Sequence, residues 1–262
     1  MSTTEQVSPA PDLAAPAPPR RPWGFWGTSA WALLAFAVWF AAQIAAVALI
    51  LAWQAGSGDM LPDFETLDEA TVITLATAVA APLELGVIAA AVRFARWPLR
   101  DYLALVGFTR RDLLIGLGSL LALGLIYDAS MYLLGRDVIP PVMIRMYQGA
   151  RDAGLMVPFV LAIAVLAPVA EEVVFRGFVY RGWAGSWLGV AGTVAVTAGL
   201  WAVLHTQYDW DGVALIFLIG LLFGWLRWRS GSTSLVVALH ILTNLLALAQ
   251  TAIWVEWLSK TA

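Results

Sequence analysis

The chain has 262 residues, 61% of them hydrophobic and 13% charged, with a formal charge of −3 and a mean hydropathy of +0.79. A soluble domain is nearer half apolar and one quarter charged, so the composition excludes an ordinary globular protein, and the small net charge argues against nucleic acid as a partner. The absence of cysteine removes disulfides, thiolate metal ligands and a cysteine nucleophile.

Residues 1–27 are expected as a disordered cytoplasmic tail, rich in Pro, Ala and Ser with Arg20 and Arg21 towards its end. The apolar run over 28–53 is about twice as long as a signal-peptide core, so it reads as a retained span. An acidic segment over 54–69 carries Asp59, Asp63, Glu65, Asp68 and Glu69. A second span is expected at 70–92 and a third at 112–134. Residues 135–154 are polar, contain Pro140 and Pro141, and are expected along the membrane interface. Spans at 155–180, 188–205, 212–228 and 233–255 complete the chain. The fold expected is therefore all-α, a polytopic membrane bundle of about seven transmembrane helices. It divides into an N-terminal unit over 28–154 and a core over 155–258 that holds most of the polar chemistry. Tryptophans flank many of the runs, among them Trp23, Trp97, Trp183, Trp228 and Trp257, as an interfacial aromatic belt requires. With the N-terminus placed in the cytoplasm, eleven of the fifteen Lys and Arg residues fall on that side. This bias predicts an inner-membrane protein with its N-terminus inside.

The core centres on Glu171-Glu172-Val173-Val174-Phe175-Arg176-Gly177. An ionisable side chain at the centre of a bilayer helix costs about 2.5–3.5 kcal/mol, so three within six residues require partners or a task. Glu172 and Arg176 are i,i+4 neighbours able to pair, whereas Glu171 is rotated about 100° away and free for chemistry. The only two histidines also lie in apolar runs: His205 ends one, and His240 shares a helical face with Asn244. Glu84 and Asp128 are further intramembrane acids, expected to line a cavity, to bind a polar lipid head group or to bond neighbouring helices.

The order Glu-Glu-x-x-x-Arg, then Trp201-x-x-x-His205, then His240-x-x-x-Asn244 resembles the type II CAAX prenyl endopeptidase and bacteriocin-processing family of intramembrane proteases, over roughly residues 155–250. Gly220-Leu221-Leu222-Phe223-Gly224, followed by Ser230 to Leu235, looks like the glycine-bearing helix and turn before the last motif. The family usually has Phe where this chain has Trp201. The resemblance implies hydrolysis of a peptide bond in a membrane-associated peptide or protein, within the lipid bilayer. The residues suit that reaction. Glu171 is expected to serve as base for water, His205 to share the water's proton or orient it, His240 and Asn244 to donate to the oxyanion, and Glu172 with Arg176 to hold the helix and tune Glu171.

A zinc set of Glu171, His205 and His240 is the alternative within the enzyme class, but no His-Glu-x-x-His supports it, and catalysis without a metal or other cofactor is expected. A transporter or a non-catalytic regulatory partner is the alternative outside it; a transporter predicts an internal repeat, and none is visible. The arginines after the motif predict a cavity open to the cytoplasm. One geometric difficulty follows. Glu171 and His240 fall within about two turns of the cytoplasmic helix ends, whereas His205 lies about 25 Å along its own span, so straight, equally inserted helices would not bring them together.

Overall fold

The structure, a computed structural model, describes residues 22–56 and 68–258. Most of the expected N-terminal tail, most of the acidic segment after the first span, and Lys260 lie outside the described residues. Among the described residues there is no strand, and the fold is an all-α membrane bundle. In chain order the helices are α1 (Phe25–Gly56), α2 (Glu69–Phe94), the single turn α3 (Leu99–Tyr102), α4 (Arg110–Leu133), α5 (Pro141–Asp152), α6 (Met156–Ala184), α7 (Gly189–Val203), α8 (Trp210–Ser230) and α9 (Thr233–Leu258).

Local chemistry sets several of these boundaries. The side chain of Asp68 accepts from the Thr71 N–H at 2.8 Å to open α2, Thr109 accepts from Asp112 N–H to open α4, and Ser232 accepts from Leu235 N–H to open α9. Pro141 stands in the first turn of α5, where its missing N–H costs nothing. Gly231, at φ +69°, ends α8 in the left-handed conformation and turns the chain into α9.

Among the described residues six helices are long and apolar enough to cross a membrane: α1, α2, α4, α6, α8 and α9. The seventh expected span is different. α7 has 15 residues, about 22 Å of helix against a hydrocarbon core of about 30 Å. The missing length is absorbed by α6, which runs on to Ala184 rather than ending near 180. The polar segment 135–154 forms α5, which buries Val142, Met146 and Ala150 against α2, α6 and α9. Leu33 and Leu49 of α1, Leu121 and Leu125 of α4 and Leu246 of α9 stay exposed. Surfaces of that size are stable only against lipid.

α6 is the most enclosed span, and it contains two π turns, Ala162–Leu166 and Val173–Val179. Each shifts the backbone ladder by one residue. Ala167 N–H bonds Ala162 O, and Tyr180 N–H bonds Phe175 O. The carbonyls of Ile163 and Arg176 thereby lose the donors that an α-helix would give them. Both are satisfied from other helices. Asn244 Nδ2 donates to Ile163 O at 2.9 Å, and Arg227 Nε donates to Arg176 O at 3.0 Å, joined by Thr233 Oγ1 at 3.4 Å. The core thus locks α6 to α8 and α9 through its own irregular turns.

α7 and α8 approach closely because Gly220 and Gly224 offer no side chain. A Cβ on Gly220 would lie 3.0 Å from Ala198 Cβ and 3.1 Å from its backbone, whereas a Cβ on Gly118 would meet nothing within 4 Å. Gly220→Ala is therefore expected to lower stability by about 1–3 kcal/mol through overpacking, read as a lower midpoint in detergent thermal unfolding. Gly118→Ala should leave that midpoint unchanged or raise it slightly.

Candidate active site

The antiparallel hairpin of α6 and α7 removes the depth difficulty. Past Glu171, α6 continues for about 20 Å to Ala184, and α7 returns about 18 Å from Gly189 to Trp201. Trp201 consequently lies opposite Glu171, and its indole Nε1–H donates to Glu171 Oε2 at 2.5 Å. His205, one turn further on, lies beyond the end of α7, and its Nδ1 donates back to Trp201 O at 2.8 Å. Since a carbonyl only accepts, the proton sits on Nδ1 and His205 Nε2 is free as an acceptor.

The second carboxylate has a different environment. Glu172 Oε1 accepts from Arg176 Nη1 at 2.9 Å and from His240 Nδ1 at 2.9 Å, and all three side chains are buried. Arg176 Nη2 donates onward to Gly220 O at 3.1 Å, tying the group to α8. The pairing of Glu172 with Arg176 matches the i,i+4 expectation, and the bond to His240 is additional. The carboxylate fixes the Nδ1–H tautomer of His240 and leaves its Nε2 available.

The six residues singled out in the sequence therefore divide into two joined groups. Glu172, Arg176 and His240 form a dry, buried triad. Glu171, His205 and Asn244 are half-buried beside it. Asn244 spends one amide hydrogen on Ile163 O, which leaves its second hydrogen for a ligand. The residue that joins the groups is Trp201, which sequence reasoning treated only as a retained aromatic. Its ring meets those of His205 and His240 edge-on at 5.2 Å each, and the Arg176 guanidinium lies 4.9 Å from its centroid. The departure from Phe was the available signal, because only an indole brings an N–H to this position.

Of the other intramembrane acids, Asp128 accepts from Gln250 Nε2 at 3.1 Å, so it bonds a neighbouring helix. Glu84 of α2 is half-buried and forms no hydrogen bond among the described residues; its charge interacts with that of Glu171. The Tyr208 phenol also feels Glu171 and packs its ring 6.3 Å from that of His205. Glu84 was a candidate for lining the cavity, whereas Tyr208 was not singled out in the sequence.

The donor set does not suit a zinc ion. Among the described residues no group of three His, Cys, Asp or Glu side chains converges as metal ligands do.

Residues 153–246 match the family model described as type II CAAX prenyl endopeptidase Rce1-like, a stretch that contains all six motif residues. The chain is also 32% identical over 136 residues to an uncharacterized 24.3 kDa protein of Escherichia coli, a match covering 48% of this chain and 60% of that relative. No solved structure matches.

Two substitutions separate the groups. Breaking a buried ion pair by removing one partner costs about 3–5 kcal/mol, so Glu172→Ala should strongly lower the unfolding midpoint, with Glu172→Gln less severe because it retains an acceptor for Arg176. Trp201→Phe keeps the ring and removes only the donor to Glu171. A hydrogen bond to a charged group is worth about 1.5–3 kcal/mol, so turnover should fall about tenfold or more while the unfolding midpoint moves little.

Proposed function

We propose, from the premise that this chain belongs through residues 153–246 to the type II CAAX prenyl endopeptidase Rce1-like family, that it hydrolyses a peptide bond in a membrane-associated polypeptide by glutamate-activated water. The observation that carries this reading is the separation of two adjacent carboxylates into two environments. Glu172 is neutralised in the triad, and Glu171 is half-buried and held by the indole of Trp201, the residue whose carbonyl also accepts from His205.

Each group then has a task. Glu171 takes a proton from a water whose other hydrogen is accepted by His205 Nε2, and the water oxygen attacks the peptide carbonyl carbon. The oxyanion receives the remaining Asn244 N–H, preorganised by the bond to Ile163 O on α6, with the His240 ring held alongside by Glu172. Glu171 returns its proton to the departing amine. Glu172 acts by positioning and charge, because it holds His240 and balances Arg176. The packed core around the triad keeps bulk water from the site. The distribution of arginines supports insertion in an inner membrane with the N-terminus in the cytoplasm; Arg176 and Arg227 are buried inside the bundle, and leaving them out preserves a bias of nine against four.

Purified protein in detergent, incubated with a quenched peptide library, should cleave, and Glu171→Ala should abolish cleavage while the protein still inserts and purifies. Retained turnover in that variant would remove Glu171 as the base. Activity should survive dialysis against a strong chelator. About one zinc per chain, lost together with activity, would replace the glutamate mechanism with a metal one.

A further inference from the structure

The sequence predicts a cavity open towards the arginine-rich end of the bundle, and the packing there is closed. Arg176, Glu172 and His240 are almost wholly buried, and beyond them Tyr102, Phe178, Leu226 and Leu235 are fully buried. The turn into α9 seals the same end. Ser232 Oγ donates to Val106 O at 2.6 Å and Thr233 N–H to Ala104 O at 2.9 Å, with both side chains inaccessible. A core at this density leaves no passage for a polypeptide.

Burial falls in the opposite direction. Glu171, His205, Asn244 and Tyr208 are half-buried, and next to Tyr208 lies a cavity of about 200 Å³ at the end of the bundle where α4 gives way to α5 and α7 to α8. Tyr127, Arg136, Asp137, Tyr208, Asp209 and Asp211 line it, with Arg136 and Asp211 paired at 3.1 Å. Tyr208 is the wall shared by this cavity and the catalytic group: one side of its ring lines the cavity, and the ring also packs beside His205. Its hydroxyl donates to Met143 Sδ at 3.2 Å, a weak acceptor, while its ring packs beside the cluster of Val142, Met146 and Phe159. A polar cavity that shares the Tyr208 wall with His205 has the form of an entrance whose opening requires that ring to turn.

We propose that this cavity is the entrance to the site, that it takes the polar, extramembrane flank of the substrate polypeptide, and that Tyr208 is the gate between that flank and Glu171. The inference deepens the protease reading and rests on it for the identity of the substrate.

The natural absence of cysteine makes the test direct. Single variants His205→Cys, Asp209→Cys and Arg111→Cys are treated with a membrane-impermeant thiol reagent in right-side-out and inside-out vesicles. Asp209→Cys marks the cavity end and Arg111→Cys the opposite end. His205→Cys should react from the same side as Asp209→Cys, and adding Tyr208→Ala should speed that reaction by about tenfold, the equivalent of about 1.4 kcal/mol of gating. Reaction of His205→Cys from the Arg111 side would overturn the proposal, and this readout needs no turnover, so its failure is distinct from failure of the protease reading. In the turnover arm, a bulky maleimide on Asp209→Cys should lower kcat/KM about tenfold or more and the same adduct on Arg111→Cys should not. Unchanged kcat/KM on the modified Asp209→Cys chain would equally overturn the entrance.

Discussion

The bond that the rest of the site depends on is the shared acceptance by Glu172 Oε1 of hydrogens from Arg176 and His240. A carboxylate and a guanidinium moved into a low-dielectric interior each carry a desolvation penalty of several kcal/mol, repaid only by good geometry and further hydrogen bonds. Glu172 Oε2 and Arg176 Nε have no partner among the described residues, so the repayment is incomplete within the pair itself. It is extended by the bond to Gly220 O, by the aromatic faces of Trp201 and Phe223 around the guanidinium, and by the fully packed leucines nearby. A buried charge group of this kind is a poor device for stability and a good one for registration. It fixes where α6, α8 and α9 stand relative to one another, and it sets the tautomer of His240.

The π turns of α6 belong to the same scheme. A regular α-helix would have satisfied Ile163 O and Arg176 O internally and offered nothing to its neighbours. By displacing the ladder twice, α6 presents two carbonyls that Asn244, Arg227 and Thr233 then claim. Asn244 is thereby immobilised by the same helix that carries Glu171 and Glu172. A side chain positioned in this way has its ordering cost met during folding.

Trp201 shows how a small departure acquires meaning through its surroundings. As a sequence feature it is an aromatic in an aromatic position. In the folded chain it contacts Glu171, His205, His240 and Arg176 together, so one side chain couples the half-buried reactive group to the dry triad. The arrangement also explains why the two adjacent glutamates behave differently. Their rotation of about 100° on the helix turns one towards α9 and its histidine and the other towards the indole of α7.

Composition and hydropathy alone determined that the chain is an all-helical membrane protein, because unpaired backbone is intolerable in lipid and long apolar runs have no other stable form there. Helical spacing alone determined that Glu172 pairs with Arg176 and that His240 and Asn244 share a face, since these are local relations of one helix. The motif order was enough to point to the family. What only the tertiary structure decided are the relations between helices. Hydropathy marks where a segment becomes apolar, not how deep it sits, so the shortness of α7, the extension of α6 to Ala184 and the meeting of Trp201 with Glu171 were invisible to it. Tyr208, whose ring lies beside that of His205, carried no signal of that contact in the sequence.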